Sequence, residues 1–215
     1  MNQRLDFIAS LGLSLSAAQL NALLAYADLV WEKKETLNLT SVRDKQEIWD
    51  RHILDGLAAA SIIAKHGSGP CAVADYGAGA GYIGISIAAA LPSAQVSLIE
   101  SIEKRCMFME WIIFKLGLKN VKVLNIRAGD RGRSASPNYD FITERAMGQL
   151  DDILPACARD LKPGGLFIAY QAAEGSYKKE AAQKSGVSEE NVFNYILPGE
   201  NKQRKLVLFK KWIQQ

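Results

Sequence analysis

The stretch Val73–Leu91, VADYGAGAGYIGISIAAAL, contains the pattern that decides the fold. A short apolar run includes the acidic residue Asp75, three glycines then alternate with alanines, and a segment rich in Ile and Ala follows. Read from Gly79, the turn also spells G-x-G-x-x-G, a pattern typical of a strand that turns sharply into a helix beside a ligand. Glycine suits such a turn because it adopts left-handed backbone conformations and lets a ligand approach the backbone closely. The stretch therefore predicts a strand, a tight turn and a helix beside a ligand site.

The chain beyond this stretch continues to alternate between strand and helix patterns. The predicted strands are CAVAD, QVSLIE, VKVLNI, YDFITE, GLFIAY, VFNYIL and KLVLFKKW, and the predicted helices span Gly81–Leu91, Ile102–Leu116, Leu150–Leu161 and Ser176–Ser185. This alternation predicts a parallel sheet with helices on both faces. The last two strands are joined by PGENKQR, which is too short for a crossover helix, so we expect an antiparallel hairpin at the sheet edge.

The N-terminal region differs because its apolar residues recur with helical spacing. In SLSAAQLNALLAYADLVWEKKE they form one stripe, and Ser14 or Ser16 is available as the N-cap. A second segment, KQEIWDRHILDGLAAASIIAKHG, predicts one or two helices that end at Gly67. We therefore predict a helical cap over residues 1–68 and a seven-stranded, doubly wound α/β domain over residues 69–215.

Composition and charge limit the kind of protein. Of the 215 residues, 48% are hydrophobic and 23% are charged, as in an ordinary globular protein. The three cysteines lack metal-ligand spacing, so we expect free thiols, no metal site and a reducing, cytoplasmic compartment. We find no secretory signal pattern and no apolar run of membrane-spanning length, so no membrane association is expected.

The net charge of +3 is mild, but basic residues cluster in Lys115–Arg133 and Lys202–Lys211. Such clusters are either solvated surface or contacts for phosphate groups. In the second cluster the residues concerned are Arg204, Lys205, Lys210 and Lys211. Here the sequence favours neither interpretation over the other.

Two acidic residues at predicted strand ends indicate the cofactor. Asp75 ends the first strand, and Glu100 ends the second, where a carboxylate can accept hydrogen bonds from both ribose hydroxyls of an adenosine. A dinucleotide would need a helix N-terminus free for its pyrophosphate. S-adenosylmethionine instead carries an amino group and a sulfonium cation, which suit a carboxylate at the turn. We predict this cofactor and a class I methyltransferase (Rossmann-like) α/β fold; the alternative is that Asp75 only caps a tight turn.

Motifs on both sides of the turn are similar to those of one family. They are NLTS at Asn38–Ser41, RHILDGL at Arg51–Leu57, DYGAGAGYIGI at Asp75–Ile85, LIES at Leu98–Ser101, ERA at Glu144–Ala146 and LKPGG at Leu161–Gly165. From about Trp31 to its end, the chain resembles the glucose-inhibited division protein B family, bacterial methyltransferases that modify guanine N7 in small-subunit (16S) ribosomal RNA. NLT and RHILD are the distinguishing motifs, because most methyltransferases share the glycine turn. The resemblance implies small-subunit ribosomal RNA, or an assembling small subunit, as the partner of a monomeric enzyme.

The resemblance also implies the site residues. The residues expected to bind S-adenosylmethionine are Asp75, Gly77, Gly79, Tyr82, Glu100, Ala128, Gly129 and Arg145. Among these, the Ala128–Gly129 backbone would lie near the adenine, and Arg145 would face the RNA as the catalytic residue. Guanine N7 has an in-plane lone pair and no proton to lose, so methyl transfer needs alignment rather than a general base.

Six residues at four places in the chain depart from the family pattern. Tyr82-Ile83 replaces Phe-Pro, Gly129 replaces Glu, Glu144 replaces Ser and Gln171-Ala172 replaces Lys-Gly. The changes at Glu144 and Gln171 lower the positive charge where RNA would lie. A different methyl acceptor therefore stays open as an alternative, as does a noncatalytic RNA- or ribosome-binding module.

Several side chains near these motifs have structural explanations. We expect His52 to be a hydrogen-bonded structural residue rather than a catalytic one. Arg51 and Asp55 have the spacing of an i,i+4 ion pair on one helix. The aromatic residues predicted to be core by their helical spacing are Phe108, Trp111 and Phe114.

Overall fold

Seven strands form one mixed sheet in the computed structural model, which describes residues 2–37, 42, 44–67, 69–130 and 139–213. The strands are Cys71–Tyr76 (β1), Ala94–Glu100 (β2), Val121–Asn125 (β3), Tyr139–Glu144 (β4), Leu161–Ala172 (β5), Val187–Ile196 (β6) and Gln203–Lys211 (β7). Their order is β3-β2-β1-β4-β5-β7-β6, with β1 to β5 parallel and β7 antiparallel to both neighbours. This confirms the predicted sheet and its terminal hairpin. The order reverses between β1 and β4, so a ligand site is expected beyond the carboxyl ends of these strands.

Each face of the sheet has its own hydrophobic core. Successive side chains point to opposite faces, so Val73 belongs to one core and Ala74 to the other. In the same way Leu208 and Phe209 of β7 lie in different cores. Because both faces are covered, the strands are nearly continuous apolar runs, which is the pattern by which the sequence predicts them.

Helices cover both faces of the sheet. They are Asn2–Ser10 (α1), Ala17–Leu37 (α2), Lys45–Glu47 (α3), a π-helical segment Ile48–Ile53, Leu54–His66 (α4), Tyr82–Ala90 (α5), Glu103–Leu116 (α6), Leu150–Asp160 (α7) and Lys179–Lys184 (α8). The core that contains Val73, called the first core, lies beneath α1, α2, the π-helical segment and α4 to α6. The core that contains Ala74, called the second core, is covered by α7 and α8.

Local signals explain where two of the predicted helices begin and end. The Ser16 side chain accepts a hydrogen bond from the Gln19 N–H at 3.3 Å, and the Gln19 side chain accepts one from the Ser16 N–H at 2.8 Å. This capping box makes Ser16, rather than Ser14, the N-cap of α2. α4 ends at Gly67, as predicted, and the Gly67 N–H donates to the Ile63 carbonyl at 3.2 Å.

Two features of the N-terminal region are not predicted by the sequence pattern. One is α1, which buries Ile8 in the first core. The other is the π-helical segment, which joins α3 and α4 into one helical stretch and carries Arg51 and His52. A single widened turn changes the direction of the side chains without changing the apolar pattern, so periodicity does not reveal it. The NLTS motif at Asn38–Ser41 lies outside the described residues.

The N-terminal helices pack directly on the sheet domain. A Cβ added to Gly56 of α4 would lie 2.5 Å from the Ser86 Cβ of α5, so these helices touch where glycine leaves room. The helices before residue 68 also share the first core with the sheet. The proposed domain boundary at residue 68 stays a prediction. Within the described ranges, we find no helix with the length and apolar character needed to cross a membrane.

Candidate functional site

The glycine turn lies between β1 and α5, at the predicted end of the sheet. Gly77, Gly79 and Gly81 have φ angles of 64°, 61° and 84°, a region that side-chain-bearing residues rarely adopt. Among the described residues, a Cβ added to Gly79 would meet only the Gly77 carbonyl, at 3.8 Å, so the described structure leaves this backbone open to a ligand. Gly77 is covered instead, because the Met147 Cγ lies 2.4 Å from where its Cβ would be.

Glu100, at the end of β2, is joined to this turn. Its Oε2 accepts a hydrogen bond from the Gly79 N–H at 3.0 Å, and its Oε1 accepts one from the Ile102 N–H at 2.9 Å. Each carboxylate oxygen has a second lone pair, so the side chain can hold the turn and still accept hydrogen bonds from a ligand. The exposed Ile102 side chain places apolar surface beside it. The second acid therefore lies at the glycine turn, as the sequence predicts.

Asp75 is buried beneath the first turn of α5. Its Oδ2 accepts a hydrogen bond from the Gly84 N–H at 2.9 Å, and its Oδ1 accepts one from the Thr143 hydroxyl at 3.0 Å. Burial raises the pKa of Asp75 to about 6, although these hydrogen bonds act in the opposite direction. Asp75 thus links β1 to α5 and β4 through hydrogen bonds. This is the structural role that the sequence left as an alternative, and a cofactor contact by Asp75 stays a prediction.

Arg145 and Glu144 point to opposite sides at the end of β4. The Arg145 Nη1 donates to the Asp55 Oδ2 at 2.9 Å, on the side of α4. Glu144 instead accepts a hydrogen bond from the Met147 N–H at 2.5 Å. The partners of these two neighbours thus lie on different sides of the strand end. Burial raises the pKa of Glu144 to about 7, so part of its population is neutral at that pH and its negative charge is reduced.

Tyr82 lies between His52 and Arg145. The Tyr82 and His52 rings stack with centroids 4.3 Å apart and planes inclined by 16°, and the Arg145 Cζ lies 5.7 Å from the centre of the Tyr82 ring. Burial and nearby arginines lower the pKa of His52 to about 3, so its ring is neutral at pH 7. The His52 Nδ1 is buried and has no hydrogen-bond partner in the described part of the chain. Within the described ranges, stacking on Tyr82 is the contact seen for the His52 ring, and the predicted hydrogen bond is not found there.

Asp55 is almost completely buried and accepts hydrogen bonds from four residues, one after β4 and one in each of β5, β6 and β7. Its Oδ2 accepts hydrogen bonds from Arg145 and, at 2.8 Å, from the Arg204 Nη1. Its Oδ1 accepts one from the Tyr195 hydroxyl at 2.7 Å, and its backbone carbonyl accepts one from the Tyr170 hydroxyl at 2.8 Å. Burial raises the pKa of Asp55, and both arginines oppose this effect. Sequence reasoning missed this network, and the only signal for it was the RHILD motif.

The predicted ion pair between Arg51 and Asp55 is wrong. The Arg51 Nε donates to the Glu200 Oε1 at 2.9 Å, and its Nη1 lies 3.4 Å from the Glu47 Oε1. Asp55 faces into the protein while Arg51 faces the surface. The π-helical segment ends between these residues and changes the ordinary i,i+4 relation.

A cleft of about 610 Å³ opens beside Arg145. Five cationic side chains and two carboxylates line it, together with Gln171, which replaces the family's usual lysine. The charged lining residues are Arg51, Arg145, Lys202, Arg204, Lys205, Asp55 and Glu200. The cleft thus keeps an excess of positive charge although the family's usual lysine is missing. Such a surface attracts an anionic ligand.

Comparison with known proteins agrees with this geometry. Residues 19–207 match the model of the family described as rRNA small subunit methyltransferase G (GidB). The chain belongs to this family. It is 31% identical to the ribosomal RNA small subunit methyltransferase G of Bacillus subtilis (strain 168), over 95% of this chain and 87% of that protein. It is 30% identical to the protein of that name from Limosilactobacillus reuteri (strain DSM 20016), over 95% and 88%.

Solved structures show the same fold at low sequence identity. Precorrin-6y C5,15-methyltransferase from Geobacter metallireducens GS-15 has a TM-score of 0.55 at 17% identity, over 73% of this chain and 88% of that chain. TYW2 from M. jannaschii, solved in complex with AdoMet, has a TM-score of 0.56 at 17% identity, over 74% and 76%. The motif resemblance and the class I methyltransferase fold are therefore confirmed, and the chain is a methyltransferase.

Two residues expected near the adenine have other contacts. The Gly129 carbonyl accepts a hydrogen bond from the Arg159 Nη2 at 2.6 Å, and a Cβ on Gly129 would lie 3.2 Å from the Ala156 Cβ of α7. Ala128 packs against the second core. Their place in the cofactor site of this family member stays a prediction.

The basic cluster of β7 is divided between the two ends of the strand. Arg204 and Lys205 lie at the cleft, whereas Lys210 and Lys211 lie at the amino end of β5. The Lys210 Nζ pairs with Glu190 at 2.8 Å. The Lys211 Nζ donates to the Leu161 carbonyl at 2.6 Å. The structural interpretation therefore fits Lys210 and Lys211, and phosphate contacts by the residues at the cleft stay a prediction.

The aromatic residues of α6 also differ from one another. Phe108 is buried, as predicted, and Trp111 is half-buried. Phe114 is 81% exposed, so its assignment to the core is wrong. It lies close to the end of α6 at Gly117, where helical spacing no longer indicates a buried face.

In the basic cluster Lys115–Arg133, Arg131 and Arg133 lie outside the described residues.

Proposed function

We propose that this methyltransferase transfers a methyl group from S-adenosylmethionine to N7 of a guanine in small-subunit ribosomal RNA. Family membership supports the substrate. The observation that carries the proposal is the glycine turn, whose Gly79 N–H is bonded to Glu100 and which leads into Tyr82, 5.7 Å from the guanidinium of Arg145 at the cationic cleft. This arrangement supports a site in which an adenosine cofactor at the turn and RNA at the cleft lie on the two sides of Tyr82 and Arg145.

The residues at the turn fit S-adenosylmethionine. The Glu100 oxygens retain lone pairs that can accept hydrogen bonds from ribose hydroxyls. The space beside the Gly79 backbone is open to a ligand among the described residues, and the exposed Ile102 side chain offers apolar surface to an adenine ring. A side chain at Gly79 would be strained at its φ of 61° and would enter the open space. When bound, the cofactor supplies a methyl group on a sulfonium, which is a strong electrophile. Gly77, Tyr82 and the Ala128–Gly129 backbone complete the proposed set.

The chemistry requires this chain to orient the acceptor rather than to remove a proton. Guanine N7 attacks through its own lone pair, so neither His52 nor Glu144 has to act as a base. The neutral His52 ring supports Tyr82, and Tyr82 lies beneath the Arg145 guanidinium. Arg145 can then contact the guanine O6 edge or a neighbouring phosphate while leaving N7 free. Its catalytic role in this proposal is alignment, which can contribute several kcal/mol to a transfer reaction.

A methylation assay tests the proposal. Small subunits and naked 16S ribosomal RNA from cells that lack this protein are incubated with the purified protein and S-adenosylmethionine, and nucleosides are analysed by mass spectrometry. We expect 7-methylguanosine to appear in one of the two substrates. Glu100→Ala serves as the control because it removes the proposed ribose ligand. Methylation of another atom, or of no nucleotide in either substrate, would refute the proposed function.

A further inference from the structure

Two arginines from distant parts of the chain share one buried oxygen. Arg145 follows β4 and Arg204 lies in β7, yet both donate to the Asp55 Oδ2, at 2.9 and 2.8 Å. Two guanidinium groups this close would repel each other without an anion between them. The Tyr195 hydroxyl donates to the other Asp55 oxygen and fixes the carboxylate from the opposite side.

The two arginines differ in the donors that they have left. The Arg204 Nε donates to the Glu200 Oε2 at 3.1 Å, and its Nη2 lies 2.9 Å from the Glu200 Oε1. Arg204 is thus held by Asp55 and Glu200 together. Arg145 donates to Asp55 through Nη1, and its Nε and Nη2 make no hydrogen bond to any described residue. Its side chain is 24% exposed and lines the cleft, so its remaining donors are available to a ligand.

The cleft favours an anion over a neutral base edge. Its positive side chains outnumber its carboxylates, and both carboxylates are already engaged by arginines. The planar fork of a guanidinium matches two phosphate oxygens. The volume of about 610 Å³ lies within the range of sites that take ligands of nucleotide size.

We infer that this cleft binds the phosphate of the target nucleotide through Arg145 and that Asp55 is the positioning residue that fixes the Arg145 guanidinium. The inference rests on the proposed function, since it assumes a nucleotide acceptor. Asp55 touches no substrate itself. Asp55 lies in α4 and holds Arg145, which follows β4. In this way an N-terminal helix takes part in substrate binding without touching the substrate. An arginine side chain that is held in place loses less conformational entropy on binding than a free one.

A double-mutant cycle tests whether Asp55 acts through Arg145. Asp55→Asn keeps the shape but removes the charge, and we expect it to raise the KM for small-subunit RNA at least tenfold. The Kd of S-adenosylmethionine should stay within about twofold of the wild type. Arg145→Ala should raise the RNA KM to a similar extent, and adding Asp55→Asn to it should cause no further increase. An independent structural role of Asp55 would instead multiply the two effects and overturn the inference.

A matched control is Asp140→Asn, near the amino end of β4 and away from the cleft at its carboxyl end, where Asp140 pairs with Lys162 at 2.8 Å. It also removes an ion-paired carboxylate and should leave the RNA KM unchanged. If Asp55→Asn does not fold, Tyr195→Phe removes one hydrogen bond to Asp55 without changing any charge. This variant should raise the RNA KM about threefold when Arg145 is present and have no effect in Arg145→Ala. A threefold effect in both backgrounds would contradict the inference.

Binding of small probes separates failure of the inference from failure of the proposed function. The wild type should bind guanosine 5′-monophosphate at least tenfold more tightly than guanosine in calorimetry, and Asp55→Asn should remove this preference. Equal binding of both probes by a wild type that methylates RNA would refute the phosphate site alone. A phosphate preference in a protein that methylates no RNA would support the phosphate site and refute the proposed substrate.

Discussion

Replacing Asp75 with Asn should stabilise the protein above neutral pH. The Asp75 carboxylate is buried, and its folded-state pKa of about 6 lies above the ordinary value of 3.8. The folded state therefore binds the proton more tightly than the unfolded state. The stability that this group contributes is fully present below pH 3.8 and is lost as the pH rises through about 6. Asn cannot ionise, so it should not show this loss.

The size of the effect follows from the two pKa values. The rise in the pKa of Asp75 from 3.8 to about 6 corresponds to about 3 kcal/mol of folding stability, because one pKa unit is equivalent to 1.36 kcal/mol. About half of this, roughly 1.4 kcal/mol, is lost between pH 5 and pH 8 by the same linkage relation. Asn fits the site because its oxygen can accept from the Gly84 N–H and its NH₂ can donate to the Thr143 hydroxyl. The Thr143 hydroxyl lies 3.4 Å from the Ala74 carbonyl and can then donate to it.

Urea unfolding of both proteins at pH 5, 6, 7 and 8, followed by circular dichroism, measures this difference. Asp75→Asn should gain stability over the wild type as the pH rises and should reach a plateau near pH 7. A stability difference that does not change with pH, or an Asn variant that is less stable at pH 8, would refute the reasoning. Calorimetry on the same variant shows whether the negative charge serves the cofactor, because S-adenosylmethionine binding would then weaken while stability rises.

The remaining predictions concern the cofactor turn and the cleft. Glu100→Ala should weaken S-adenosylmethionine binding by about 2–3 kcal/mol in calorimetry, because charge-assisted hydrogen bonds are lost; an unchanged Kd would remove Glu100 from the site. Gly77→Ala should lower the free energy of unfolding in urea by about 1–3 kcal/mol, because alanine is strained at a φ of 64° and its Cβ would meet Met147. An unchanged free energy of unfolding would argue against this packing. Lys202→Ala should reduce the salt dependence of RNA affinity more than Lys210→Ala, since Lys202 lines the cleft whereas Lys210 pairs with Glu190; equal slopes in filter binding would contradict this.

Local patterns predict the parts of this protein that depend on neighbouring residues. Short, nearly continuous apolar runs predict the seven strands, and a short link predicts the hairpin, because the apolar content of a segment and the reach of a link are local properties. The turn at Gly77–Gly81 and the acid Glu100 are predicted together, because two parallel neighbouring strands end at the same edge of the sheet. The family motifs add the kind of methyltransferase, which the fold alone does not reveal.

The arrangement around Asp55 was decided only by the tertiary structure. Its two arginine partners lie 90 and 149 residues along the chain, and a third partner, Tyr195, lies 140 residues away. The sequence spacing indicates Arg51 as the partner, because i,i+4 is the local relation on a regular helix. Sheet order brings the ends of β4 and β7 to the same side of α4, and the π-helical segment separates Arg51 from Asp55. A buried carboxylate needs close hydrogen-bonded partners of opposite charge, and only the packed chain determines which residues supply them.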